Sequence, residues 1–178
     1  MANKKEQTNI QKKEVRKASK KIDHLDRKIL SIITKDARTP FRDIADRCKV
    51  SRAAAYQHVI RMIDRKIITG SGYTVNPKDL GYSTCTYVGV RLEKAMLYNE
   101  VLPKISAIPQ VVECHYTTGP YNMLIKLYAI DNDDLMDILS NQIQSISGIS
   151  STETLISLAQ GFVRSMPIPG VDTDFDIE

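Results

Sequence analysis

The period of the hydrophobic pattern changes once along this chain, and the change divides the sequence into two parts. Between Asp23 and Lys66 the apolar residues recur at helical spacing, whereas after Thr84 they alternate with the two-residue period of strands. A chain of 178 residues is long enough for two small domains. We therefore predict a helical first domain and a second domain built on a sheet, an α+β organisation.

The first 21 residues are too polar to belong to either domain. They hold eight Lys and Arg residues against two Glu, and few large apolar residues such as Ile10 and Val15. Such a segment cannot bury enough apolar surface to offset the cost of ordering its backbone. We predict a flexible basic arm over residues 1–21.

Residues 22–75 are predicted to form a winged helix-turn-helix. Asp23 is placed to cap the first helix, Pro40 begins the second with Thr39 as its cap, and Ser51 caps the third. Two short helices, a tight turn and a third helix are the spacing of this motif. The segments 67–69 and 73–75 are predicted to be two short strands around a Gly-rich turn, which would form the wing.

The third predicted helix has two different faces. Ala55, Val59 and Met62 form a narrow apolar stripe for packing. Small residues near the start of the helix would let it approach a partner closely. The opposite face carries the polar and small residues Ser51, Arg52, Ala53, Tyr56, Gln57 and Arg61.

After a linker at 76–82, residues 83–165 alternate between strand and helix patterns. Strands are predicted at 84–92, 111–118, 121–130 and 150–162, with one helix after the first strand and another after Asp131. The order β-α-β-β-α-β is the ferredoxin-like arrangement. Both helices must cover one face of the sheet, so the other face is left for a partner. Residues 166–178 are predicted to be a solvated acidic tail.

Charge is distributed unevenly along the chain. Residues 22–72 hold eleven Lys and Arg against six Asp, whereas residues 73–178 hold six against thirteen acidic residues. A basic front is expected when one end of a protein meets a polyanion, although chance partition would give the same pattern. No apolar run is long enough to span a bilayer, so we expect no membrane association and a cytoplasmic protein.

No metal site, cofactor site or catalytic set is predicted. The three Cys residues are widely spaced, which is typical of reduced thiols. Cys114 and His115 are neighbours on a predicted strand and would point to opposite faces. His24, His58 and His115 lie in separate elements with no evident partner, and no P-loop or nucleophile motif is present.

The order of several short motifs resembles the Lrp/AsnC family, the leucine-responsive and asparagine-operon regulators of bacteria and archaea. The likeness runs from about Lys21 to Arg164. The residues that carry it are the run 22–30, Asp36-Ala37-Arg38, Asp43-Ile44-Ala45, Ser51, the run 59–62, Ile67-Ile68, the turn 119–122, Gly148-Ile149 and Thr152-Glu153-Thr154.

The resemblance implies a sequence-specific regulator of double-stranded DNA with a ferredoxin-like (RAM-type) second domain. It implies a homodimer that assembles further, commonly to an octamer, and an amino-acid effector bound at contacts between dimers. Two departures concern shape and ligand. The family usually has Gly at the position of Lys66, so this helix end is expected to differ, and it has Asp at the position of Asn122.

Site residues follow from these readings. Ser51, Arg52, Ala53, Tyr56 and Gln57 would reach base edges in the major groove. The phosphate contacts would come from Arg38, Arg42 and Arg61. The candidate effector residues are Gly119, Tyr121, Asn122, Thr152 and Thr154.

Alternatives remain open. The polar face of the third helix would also suit an ordinary solvated surface, and the basic arm a solubility tail. Gly119-Pro120 would also suit a plain turn, and the threonines plain strand formers. A regulatory module of an enzyme and a protein-binding helix-turn-helix are further alternatives for the whole chain.

Overall fold

The computed structural model describes residues 22–171, which divide into two compact units. The first unit contains residues 22–73 together with 164–171, and the second contains residues 74–163. The predicted basic arm and the acidic residues 172–178 lie outside the described residues. Each unit has a hydrophobic core of its own.

The first unit is a three-helix domain. Its helices are α1 (His24–Ile33), α2 (Phe41–Cys48) and α3 (Arg52–Asp64). Each helix contributes to the core, and a fully buried aliphatic side chain contributes about 1.5–3 kcal/mol to stability. The most deeply buried core residues are Ile29 from α1, Ile44 from α2, and Ala55 and Met62 from α3. The helix-turn-helix prediction is confirmed in its helical part.

The helix caps explain where α1 and α3 begin. The Asp23 side chain accepts a 2.7 Å hydrogen bond from the Asp26 amide, and the Asp26 side chain accepts one from the Asp23 amide, which makes a capping box. The Ser51 hydroxyl accepts from the Ala54 amide at 3.1 Å. Both predicted caps are therefore confirmed.

The start of α2 differs from the prediction by one residue. Pro40 has an extended ψ of 143° and is itself the N-cap position, with no side-chain cap. The Thr39 hydroxyl donates instead to the Asp36 carbonyl at 2.8 Å. Thr39 therefore closes the turn at residues 36–39 between the two helices and does not cap α2.

The predicted wing strands are wrong: residues 67–75 contain no strand. Each predicted strand is only three residues long, and an isolated pair of short strands is at best marginally stable. Gly70 and Gly72 add backbone freedom, and a side chain at either position would meet nothing within 4 Å. The segment is therefore a loop without regular secondary structure.

Lys66 keeps the shape that a glycine would give to the end of α3. Its φ of 56° lies in the left-handed region, and the Ile67 amide donates to the Met62 carbonyl at 2.9 Å. The resemblance led us to expect a differently shaped terminus because Gly is replaced here. Lys66 itself adopts the left-handed backbone conformation, which costs about 1–2 kcal/mol of conformational free energy.

The second unit is the predicted β-α-β-β-α-β fold. In chain order it contains β1 (Thr84–Leu92), α4 (Tyr98–Ser106), β2 (Val111–Tyr116), β3 (Met123–Ala129), α5 (Asn132–Asp137) continuing as a π-helical turn (Ile138–Ile143), and β4 (Ile149–Ser157). The sheet order is β2-β3-β1-β4, and every neighbouring pair is antiparallel. Short 3₁₀ turns at Pro77–Leu80 and Ala95–Leu97 precede β1 and α4.

The strands end earlier than the alternation predicted. β4 stops at Ser157, which pairs with Cys85 close to the start of β1, so the residues after Ser157 have no opposite strand. Between β2 and β3 the turn begins at Thr117, whose amide donates to the Asn122 carbonyl at 3.0 Å. Strand length is therefore set by the partner strand, which the alternation of a single segment does not specify.

One face of the sheet is covered by the helices, as predicted. Val88 of β1 and Ile125 of β3 are fully buried together with Val101 and Ile105 of α4. The opposite face carries Lys126, which lies between the rings of Tyr87 and Tyr128 with its ammonium 5.8 and 5.6 Å from their centroids.

Lys126 also has an acidic partner on that open face. Burial acts to lower the Lys126 pKa, but the 3.2 Å ion pair with Glu113 outweighs it and raises the pKa to about 12. The lysine is therefore charged at neutral pH. Over residues 22–171, none of the helices has the length and apolar character that crossing a bilayer requires.

Candidate nucleic-acid interface

The N-terminal half of α3 presents a continuous exposed surface. Ala55 and Met62 pack into the core, so the opposite side of the helix faces solvent. A protruding helix start with small residues is suited to approach the floor of a DNA major groove. The exposed residues on this surface are Ser51, Arg52, Ala53, Tyr56 and Gln57, which the structure brings together as the sequence predicted.

Tyr56 is held in place on one side only. Its ring meets the Phe41 ring edge-on, with centroids 5.3 Å apart, and the residue remains 51% exposed. Edge-to-face contacts of this kind add about 0.5–1.5 kcal/mol to ordinary burial. The contact with α2 therefore orients the ring while its hydroxyl end stays available to a partner.

Arg38 and Arg42 are also exposed in the first unit. The Arg38 Nε lies 3.4 Å from the Asp36 carboxylate, and its guanidinium lies over the Tyr73 ring. The Arg42 Nε is 4.0 Å from Asp46. Exposed ion pairs of this kind are weak, so a phosphate can draw either side chain away.

Arg61 has a different environment from the other two arginines. Its Nη2 donates to the Asp26 carboxylate at 2.8 Å and to the Asp23 carboxylate at 3.1 Å. The hydrogen bond that Arg61 donates to the Asp26 carboxylate is the main reason that the Arg61 pKa is raised. The guanidinium that we expected to bind phosphate is therefore already bound within the first unit.

A four-residue cluster joins α3 to the start of α1. Asp26 is only 1% exposed, and one of its carboxylate oxygens lies 2.7 Å from His58 Nδ1 and 2.8 Å from Arg61. No partner for His58 was evident in the sequence, although its i, i+3 spacing to Arg61 matches that of Asp23 to Asp26. The ligand atoms of Asp23, Asp26 and His58 lie within 4.8 Å of one another, but Arg61 already supplies a cation there.

Acid should destabilise the first unit through Asp26. Burial raises the Asp26 pKa, but hydrogen bonds from His58 and Arg61 outweigh it and hold the pKa below its ordinary value of 3.8. As pH falls, Asp26 is therefore protonated in the unfolded chain before it is protonated in the folded chain. The stabilisation that Asp26 contributes above pH 3.8 is lost as pH falls through its folded-state pKa. Urea unfolding followed by circular dichroism between pH 2.5 and 6 would measure the loss.

The Asp26→Asn variant is the control for that titration because an amide does not titrate. The difference in unfolding free energy between the original chain and this variant should be largest near neutral pH. It should shrink as the pH is lowered below 3.8. A difference that stays constant across this range would contradict the assignment to Asp26.

The candidate effector residues are divided between the two faces of the sheet. Thr152 and Thr154 pair with the buried Val90 and Val88, and therefore lie on the helix-covered face. The Tyr121 ring lies on the opposite face, where a Cβ added to Gly89 would come within 2.6 Å of it. Within one subunit, the structure does not bring the five residues together.

Asn122 is used to close the turn. Its side-chain Oδ1 accepts a 2.8 Å hydrogen bond from the Leu92 backbone amide. Its backbone amide donates to the Val90 carbonyl at 2.9 Å. The Thr117 hydroxyl donates to the Tyr121 carbonyl in the same turn. An Asn side chain can satisfy Leu92 with its oxygen and still present its NH₂ group, which is a donor only.

Two charged residues that are not among the predicted effector residues lie beside Tyr121. The Arg91 guanidinium is 5.0 Å from the ring centroid and 3.6 Å from the Glu153 carboxylate, and a hydrogen bond to Glu153 raises the Tyr121 pKa. Arg91 Nε also donates to the Pro120 carbonyl at 3.0 Å. Arg91 and Glu153 both occupy outward-facing positions of their strands. The alternation of apolar residues indicated these positions, but many other surface residues share them.

Comparisons with known proteins agree with this division into units. Residues 22–69 match the family model described as winged helix-turn-helix DNA-binding, and residues 85–166 match the Lrp/AsnC ligand binding domain. The chain is 38% identical over 145 residues to a regulatory protein AsnC of Haemophilus influenzae, covering 82% of this chain and 97% of that protein.

Solved structures show the same similarity. The structure of Escherichia coli AsnC superposes with a TM-score of 0.77 at 38% identity, over 82% of this chain and 98% of that one. A feast or famine regulatory protein from M. tuberculosis, solved with L-methionine, superposes with a TM-score of 0.78 over 83% of this chain and 99% of that one. At 20% identity, the second likeness shows the fold alone.

Proposed function

Because this chain belongs to the Lrp/AsnC family of DNA-binding transcription regulators, we propose that it reads operator DNA with the N-terminal half of α3. The observation that carries this proposal is the exposure of Arg52, Tyr56 and Gln57 on the helix whose other side packs into the core. Had these three side chains been buried, no groove-reading surface would remain on α3.

The roles of the exposed residues follow from their chemistry. Arg52 can donate two hydrogen bonds to guanine, and Gln57 can pair with adenine by its amide. Ser51 and Ala53 are small enough to let the backbone approach the bases. Arg38 and Arg42 hold phosphates and set the register of the helix on the duplex. Arg61 acts indirectly, by holding α3 against α1.

We expect the basic arm to add phosphate contacts. Each phosphate that a Lys or Arg of residues 1–20 neutralises steepens the salt dependence of binding by about 0.9 in log–log slope. Deleting residues 1–20 should therefore reduce the slope by several such steps while base preference is unchanged. Fluorescence anisotropy on one operator duplex at several salt concentrations would measure it, and an unchanged slope would show that the arm is only a solubility tail.

The second unit is proposed to assemble subunits through the open face of its sheet. Tyr87, Tyr128 and the Lys126–Glu113 pair form an ordered surface there, without covering helices. A two-fold dimer would present two copies of α3 to half-sites about 34 Å apart, and dimers would associate further, to octamers. Light scattering that gave a monomer at micromolar concentration would contradict this proposal.

We also propose that the second unit responds to an amino acid. The turn 119–122 is the segment we assign, because Arg91 and Glu153 beside Tyr121 offer one charge of each sign for an effector's carboxylate and ammonium groups. Thr152 and Thr154 remain candidates from the other face of the sheet. The relative that was solved with L-methionine has the same fold, which supports an effector of this class.

A footprint on the DNA upstream of the protein's own gene would test the whole proposal. Protection should cover two half-sites on one side of the duplex, and one or more of the twenty amino acids should change its extent. The same amino acids should raise the melting temperature of the protein. If none altered either readout, the effector part would fail while the DNA-binding part stood.

A further inference from the structure

The last described residues of the chain return to the first unit after the chain has passed through the second. Residues 164–171 belong to the helical unit although β4 and the whole sheet precede them in sequence. The two units are therefore joined by two passages of chain, one at residues 73–74 and one at 163–164. We call residues 165–170 the docking segment.

The docking segment runs along α1 and contacts both of its ends. The Ser165 hydroxyl donates to the carbonyl of Thr34, the C-cap residue, at 2.9 Å. At the other end, Arg27 Nη1 donates to the Pro169 carbonyl at 2.5 Å. The last carbonyls of a helix have no partner within the helix, so Ser165 satisfies a group that α1 itself cannot.

Ile168 anchors the segment to the core. It is partly buried and packs against the cluster that contains Ile29, Ile44 and Met62. Pro167 and Pro169 flank it, and each proline fixes its own φ, which reduces the conformational entropy that docking costs. By contrast, Met166 in the same segment is 80% exposed.

We propose that α1 of the DNA-binding unit carries a docking groove for the chain's own residues 165–170, with Ile168 as the anchor. The segment completes the helical core through non-covalent contacts with α1 and with the apolar cluster of the first unit. The docking itself does not depend on the proposed operator binding or effector.

Hydrogen exchange on the full chain tests the docking. In Ile168→Ser the amides of α1 should exchange about 10-fold faster, because the core loses its partly buried aliphatic group. Amides of β1 and β3 in the second unit should be unchanged and act as an internal control. Met166→Ser is the matched control, since it removes a similar apolar group that is exposed.

A milder substitution keeps the test decisive if Ile168→Ser does not fold. Ile168→Val should keep most of the protection, whereas Arg27→Gln should lose part of it through Pro169. Equal exchange on α1 in Ile168→Ser and Met166→Ser would overturn the proposal. Protection of α1 that rises with protein concentration would overturn the assignment to the chain's own segment and indicate exchange of segments between two copies.

Discussion

Replacing Arg52 with Ala is expected to lower affinity for the operator by about 10- to 100-fold and to relax the choice of base at one position, because one bidentate base contact discriminates by about 1–3 kcal/mol. Affinity for unrelated DNA should fall much less, since that binding depends on phosphate contacts. Competition anisotropy with operator duplexes carrying single base changes would measure both quantities.

Arg65→Ala is the matched control for Arg52→Ala. Arg65 is also exposed and basic, but it lies at the C-cap of α3, at the opposite end of the helix from Arg52. The control should reduce operator and unrelated affinity by a similar, small factor. If Arg52→Ala behaved in the same way, its side chain would be a phosphate contact and the base-reading role would be wrong.

Replacing Asp26 with Ala should destabilise the first unit by about 1–3 kcal/mol, because it removes the buried carboxylate that accepts hydrogen bonds from His58 and Arg61, while the partly exposed Arg61 guanidinium stays solvated. Arg61 would keep only Asp23, which is half exposed, and His58 Nδ1 would lose the carboxylate oxygen that lies 2.7 Å from it. Since both partners belong to α3, operator affinity should fall as well. Thermal unfolding and anisotropy on the same preparation would report the two effects.

Two further variants separate the buried pair from general charge effects. Asp36→Ala removes an exposed carboxylate from the same unit, and it should change stability little because its partner Arg38 remains solvated. Combining Asp26→Ala with Arg61→Met should recover part of the loss, since no unpaired charge then remains. A double variant as unstable as Asp26→Ala alone would show that the ion pair is not the cause.

Local sequence was enough to predict the elements that depend on neighbours along the chain. Asp23 and Ser51 cap helices because their side chains reach amides three residues away. The alternation in β1 predicted Thr84–Leu92 as a strand, and the order of elements then left only a few topologies. The predicted wing strands and the predicted end of β4 were wrong. In both cases the length of a strand depends on a partner strand that the segment itself does not specify.

The sequence by itself therefore determined the three helices of the first unit, the order of elements in the second unit and the side of α3 that stays exposed, because periodicity and capping are local. Only the tertiary structure decided what depends on residues far apart in the chain. Arg61 and His58 contact Asp26 and do not point only into solvent. Tyr121 and Thr152 lie on opposite faces of the sheet, and Ile168 packs against the helical core. The contacts of Asp26 join positions 32 and 35 residues apart, and the hydrogen bonds of the docking segment join positions 131 and 142 residues apart. The spacing of residues along one segment carries no information about such contacts.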